Sequence, residues 1–118
     1  MDIQGIYAAL ATTNMAASER FYTLLFERRP DDRPMDSLIQ WRGVAGANIQ
    51  IFLNESNAGS SMCTIVVPNM DKARASLERV GLTLGKEKAG DFGRVAHIRD
   101  PDGNQLTLAE PPGATQAR

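Results

Sequence analysis

One cysteine, one histidine and one tryptophan among 118 residues leave little room for several kinds of chemistry. The lone thiol, Cys63, excludes an internal disulfide and fits a reducing compartment. Its place inside the apolar run 62–67 points to inert packing rather than thiol reactivity. An excess of one charge is missing too: 13 Lys+Arg against 14 Asp+Glu give a formal net charge of -1. No basic cluster is present to track a phosphate backbone, so nucleic acid is not an expected partner. No apolar stretch approaches the roughly 20 residues that span a bilayer, and no basic segment followed by a hydrophobic one opens the chain. The expectation is a cytoplasmic protein with no membrane partner.

What is present is a faint internal repeat. Sliding the sequence by 55 positions places Asn14-Met15 on Asn69-Met70, Leu10 on Ile65, Gln50 on Gln105, Leu53 on Leu108 and Glu55 on Glu110. At 42% hydrophobic content the chain suffices for one compact domain, residues 1–118, made of two modules of approximately 3–55 and 61–110. The polar stretch 111–118 after Pro111-Pro112 reads as a flexible tail.

Each module reads as β-α-β-β with a further short strand. In the first, residues 3–12 have strand character and Asn14 is placed to cap the helix that follows. Ala17, Phe21, Leu24 and Leu25 give this helix an apolar face. Pro30 and Pro34 break the pattern, with room for a short strand near Pro34. Residues 37–42 and 48–54 then read as strands joined by the turn Gly43-Val44-Ala45-Gly46. Asn57-Ala58-Gly59-Ser60 links the halves. In the second module, residues 62–67 form the first strand, and a helix runs from about Met70 with Ala73, Leu77 and Val80 on one side. Gly81 is suited to a left-handed terminator. Residues 82–86, 93–99 and 105–109 supply the remaining strands.

In the turn Asp100-Pro101-Asp102-Gly103-Asn104, proline fixes one backbone angle, glycine accepts a positive one, and the acidic and amide side chains bond nearby backbone donors. Its beginning is calcium-loop-like, but the glycine comes too early, and Pro111 stands where a bidentate glutamate is needed.

The Asn14-led helix with Phe21-Tyr22, the pair Gly93-Arg94 before the last hairpin and the Asp-Pro-Asp-Gly-Asn turn together resemble the glyoxalase and bleomycin-resistance proteins of the vicinal oxygen chelate superfamily. The resemblance covers residues 3–110, and the terminal turn is its most specific element. It implies an α+β fold in which two tandem βαβββ modules form a curved, mostly antiparallel eight-stranded sheet around a cleft, usually in a homodimer.

Metal-binding members of that superfamily take histidine and glutamate ligands from the first and last strands of each module. Carried onto this sequence, those positions fall on Tyr7, Phe52, Met62 and Thr107, a poor donor set for a divalent ion that wants imidazole nitrogen or carboxylate oxygen. His97 is at none of these positions. It is a polar strand residue or a general base. Glu55 and Glu110 end equivalent strands as solvated groups or lean into the cleft.

Strand alternation assigns Ile49, Ile51, Leu53, Leu106 and Leu108 to a helix-covered face, and Gln50, Phe52, Gln105 and Thr107 to the cleft beside Tyr7 and Met62. Trp41 either adds a flat wall to the cleft or belongs to the core. Arg94 either clamps an anionic substituent or is a surface residue of the hairpin. The candidate ligand-binding set is thus Tyr7, Trp41, Gln50, Phe52, Met62, Arg94, Gln105 and Thr107.

These residue types stack and hydrogen-bond but offer few groups for breaking bonds. The leading expectation is a binding protein without metal or cofactor that sequesters a planar or hydrophobic organic ligand, as the resemblance implies for the resistance proteins. The competing expectation is a lyase, isomerase or dioxygenase of the superfamily with a non-standard site. That site would draw on His97, Glu110, Glu55 or Asp91, or use Tyr7 for proton transfer. In a third reading the cleft is simply filled by large side chains.

Overall fold

The element order is the same in both halves of the chain, and it follows from where apolar periodicity changes from two to near four. The computed structural model describes residues 1–113. In the first half lie β1 (Tyr7–Thr12), α1 (Met15–Phe26), β2 (Asp32–Met35), β3 (Leu38–Val44) and β4 (Ala47–Leu53). In the second lie β5 (Met62–Val66), α2 (Met70–Arg79), β6 (Lys88–Gly90), β7 (Gly93–Arg99) and β8 (Gln105–Glu110). This is an α+β fold of two βαβββ modules, its eight strands divided between two four-stranded mixed sheets. The strand orders are β1-β4-β3-β2 and β5-β8-β7-β6. The outer strand β1 runs parallel to β4, as β5 does to β8, and the other neighbours are antiparallel. By their contacts the residues form two units, Met1–Ser61 with the turn Asp100–Asn104, and Met62–Arg99 with the chain from Gln105.

In the first unit, Asn14 adopts an extended backbone and its Oδ1 accepts the Ala17 N–H at 3.0 Å, which starts α1. The helix ends at Glu27, which takes a left-handed conformation (φ 59°) three residues before Pro30. Phe21 and Tyr22 are buried with Leu10, Ile39, Trp41, Ile49 and Ile51. Each large apolar side chain removed from water in this way contributes about 1.5–3 kcal/mol. The expected first strand is shorter than the sequence pattern, since Ile3 and Ile6 are exposed and pairing begins at Tyr7.

The turn Asp100–Asn104 completes this core. The Asn104 Oδ1 accepts the N–H groups of Gly59 and Ser61, each at 2.8 Å, and its Nδ2 donates to the Ala11 carbonyl at 2.7 Å. Gly103 supplies the positive φ (92°) that the turn requires. Its acidic groups are spent on the protein itself.

In the second unit, Asn69 caps α2 as Asn14 caps α1, accepting the Lys72 N–H at 3.0 Å. Gly81 (φ 84°) ends the helix, with Gly81 N–H bonded to Glu78 O and Leu82 N–H to Leu77 O. The strand expected at residues 82–86 is not formed. The Arg74 guanidinium takes the Leu84 and Gly85 carbonyls, each at 2.9 Å, and the third ladder strand is the later segment β6. No helix among the described residues is long and apolar enough to cross a membrane. Residues 114–118, the end of the expected tail, lie outside the described residues.

Candidate functional site

Each sheet buries one face under its helix and turns the other away. On the first sheet, strand register sets out that second face in rows: Tyr7 beside Asn48, Ala9 beside Gln50 and Gln40, and Ala11 beside Phe52 and Leu38. On the second sheet the rows are Met62, Gln105 and Arg99; Thr64, Thr107 and His97; and Val66, Ala109 and Val95. In both units the middle row holds a polar pair across the last two strands. Gln40 Nε2 donates to Gln50 Oε1 at 3.2 Å, and His97 Nδ1 shares a hydrogen bond of 3.0 Å with Thr107 Oγ1.

This register corrects the simple 55-residue offset. Tyr7 pairs with Asn48, whereas Met62 pairs with Gln105 rather than with Gly103, so the last two strands of the second unit are displaced by two residues. The counterpart of Thr107 is therefore Gln50, not Phe52, and that of Gln105 is Asn48.

Tyr7, Gln50 and Phe52 share the face away from α1 in the first unit, all half-buried. A recess of about 560 Å³ opens at the Tyr7 end, lined by Gln4, Gly5, Tyr7, Arg42 and Asn48. Gln105 and Thr107 occupy the corresponding face of the second unit beside Met62, which is 72% exposed.

Two members of the expected set belong elsewhere. Trp41 is on the helix side of β3, fully buried. Its ring packs against Phe26 and Tyr22 at centroid distances of 5.5 and 6.2 Å, and its Nε1 donates to Arg28 O at 2.9 Å. It is a core residue, because alternation along β3 points Ile39 and Trp41 together at α1. Arg94 likewise shares the strand side of the buried Ala96 and Ile98, facing α2. Its guanidinium grips Glu87 at 2.7 and 2.8 Å and Asp71 at 2.8 Å. Its hydrogen bonds to Glu87 and then Asp71 hold its proton more firmly than usual, and both carboxyls are held below their ordinary range. It is an ion-pair hub of the α2 face rather than an anion clamp.

Glu110 joins that hub, with Oε1 accepting the Met70 N–H at 2.6 Å at the start of α2. Glu110 and His97 thus project to opposite sides of the second sheet. Glu55 and Asp91 are exposed, and no group of three or more His, Cys, Asp or Glu among the described residues is placed to hold a metal ion. In the corrected register Tyr7 and Met62 stand at equivalent places in the two units, as do Gln50 and Thr107. Phenol, amide, thioether and hydroxyl do not fit a catalytic divalent ion. Burial pushes the Cys63 thiol up, which disfavours its nucleophilic form.

Gln40, Asn48 and His97 were absent from the expected set. The signal that finds them is cross-strand pairing, since each is the direct neighbour of an expected residue on the same face.

No family model and no curated protein matches the sequence. Solved structures do match over nearly the whole chain. A glyoxalase/bleomycin resistance protein from Catenulispora acidiphila superposes with a TM-score of 0.82 at 24% identity, covering 92% of this chain and 98% of that one. The bleomycin-binding protein from bleomycin-producing Streptomyces verticillus, complexed with copper(II)-bleomycin, gives 0.73 at 18% identity, covering 93% and 98%. Lactoylglutathione lyase from Agrobacterium tumefaciens gives 0.73 at 17%, covering 93% and 95%. The chain has the fold of these glyoxalase and bleomycin-resistance structures.

Proposed function

We propose that this protein binds a planar or hydrophobic organic molecule without metal and without turnover, as a cytoplasmic homodimer. The observation that carries the reading is the composition of the faces turned away from the helices. Tyr7, Gln50 and Phe52 on one sheet, and Met62, Gln105 and Thr107 on the other, supply stacking surface and neutral hydrogen-bonding groups. Recognition sites are built from such groups, with a few polar atoms to fix orientation. The likeness in fold to a protein that binds bleomycin lends support, although fold alone does not select a function.

The test is thermal unfolding in the presence of bleomycin and a panel of planar dyes and heteroaromatics, beside metal analysis after incubation with zinc, manganese, nickel and iron(II). A ligand at a hundred times its Kd stabilises the folded state by about 2.7 kcal/mol, a readily measured rise in Tm. Binding with no retained metal is the expected result. One metal per chain, with turnover abolished by a chelator, would overturn the proposal. The second reading, an enzyme of the same fold, is favoured by the likeness to a lactoylglutathione lyase and would then lead.

A further inference from the structure

Resting on this binding reading, we infer that the first sheet selects a neutral planar ligand bearing a carboxamide or lactam, an N–H and a C=O side by side. The argument begins with the Gln40–Gln50 pair. One amide N–H is spent on one amide carbonyl at 3.2 Å, and the two side chains have no other hydrogen bond among the described residues. Whichever way the two amides are turned, one carbonyl oxygen and one NH2 group remain for a partner. Both side chains are half-buried, so leaving these atoms unmatched beneath a bound ligand costs free energy. A ligand offering only acceptors, or only donors, satisfies half of the pair.

The surroundings set shape and charge. In register, the row containing the amides lies between a row with Tyr7 and a row with Phe52, and β1 contributes only Ala9 beside Gln50. With a rise of about 3.3 Å per residue, the two aromatic rows stand about 13 Å apart along the strands, room for a fused bicyclic system. The charged group that shares this face, Arg42, is matched within the protein, its Nε bound to Asp32 at 2.6 Å. A charged ligand would compete with this pair, whereas a neutral one leaves it intact. The second sheet has His97–Thr107 in place of two amides.

The experiment uses three matched probes on the full chain: quinolin-2(1H)-one, its N-methyl derivative and quinoline-2-carboxylate. Affinity is read by NMR titration, following the side-chain NH2 resonances of Gln40 and Gln50. The quinolinone is expected to bind and shift those resonances, with N-methylation and the carboxylate each weakening binding at least tenfold. Gln50→Leu and, independently, Gln40→Leu should weaken the quinolinone at least tenfold, with Tm confirming that each variant is folded. Equal binding of all three probes, or unchanged affinity in both folded variants, would overturn the inference. If amide-free planar ligands bind and the quinolinone does not, this inference fails and the binding reading survives. If no planar ligand binds, both fall.

Discussion

The Tyr22 hydroxyl donates to Asp100 Oδ2 at 2.6 Å, both groups buried, and so ties the first helix to a turn late in the chain. Around this bond a closed polar network forms. Asn104 Nδ2 donates to the same carboxylate at 2.8 Å, and Asp100 Oδ1 accepts the Asp102 and Asn104 N–H groups at 3.0 and 2.9 Å. No buried side-chain nitrogen or oxygen among the described residues lacks a partner. A satisfied network of this kind specifies one arrangement, and a single deletion within it is costly.

Asn104→Ala removes partners from the Gly59 and Ser61 N–H groups and from the Ala11 carbonyl together. Urea unfolding should show a loss of about 3 kcal/mol. A loss below 1 kcal/mol would mean that water replaces the amide at little cost.

Asp102 makes stability depend on acid. Burial raises its carboxyl, but hydrogen bonds from the Thr12 and Thr13 side chains, the Thr13 N–H and Ser18 outweigh that and leave it below the ordinary aspartate range. A lowered folded value means stabilisation that is fully present above the unfolded value of about 3.9 and is lost as pH falls through the folded one. Tm measured from pH 6 to pH 2 should drop less steeply for Asp102→Asn than for the natural chain, from a lower starting point at pH 6. Parallel curves would show that Asp102 has no part in the acid transition.

Arg94→Gln should release the Asp71 and Glu87 carboxyls, whose titration by carbon-13 NMR moves up toward the ordinary range. Ligand affinity should stay within twofold, because Arg94 faces α2. A large loss of affinity for an anionic ligand would restore the clamp role.

Trp41, the single tryptophan, reports the core and not the ligand face. Its emission should be blue and poorly quenched by acrylamide, and saturation with ligand should leave its maximum in place. Trp41→Phe orphans the Arg28 carbonyl and leaves unfilled volume, at a cost of about 2 kcal/mol by denaturant unfolding.

Much of the fold was legible because local rules agreed. Asn14 and Asn69 announce helix starts, Gly81 a helix end, and Ile49-Gln50-Ile51-Phe52 a strand with two unlike faces. Legibility failed where one residue overrides the local pattern from a distance. Arg74 claims the Leu84 and Gly85 carbonyls, and residues 82–86 form no strand despite their apolar pattern. Likewise Arg94 reads as a hairpin arginine until Asp71 arrives from a helix elsewhere in the sequence. At the candidate site, Gln50, Phe52, Gln105 and Thr107 were accessible to alternation, and Tyr7 and Met62 to the superfamily resemblance. Their rungs were not, since the pairing in the second unit is displaced by two residues from the constant offset. The pairing of Gln40 with Gln50 and of His97 with Thr107 becomes visible only once those rungs are known.

The turn Asp100–Asn104 also bears on the order of folding. It is spelled late in the chain but belongs by its contacts to the unit built from Met1–Ser61. As synthesis proceeds, that first stretch emerges with the Gly59 and Ser61 N–H groups, the Ala11 carbonyl and the Tyr22 hydroxyl still lacking these partners. They are matched only when the closing hairpin leaves the ribosome. The first module is in this sense an unfinished template that its own distant loop completes, and cutting the gene at the link between the halves would strand it.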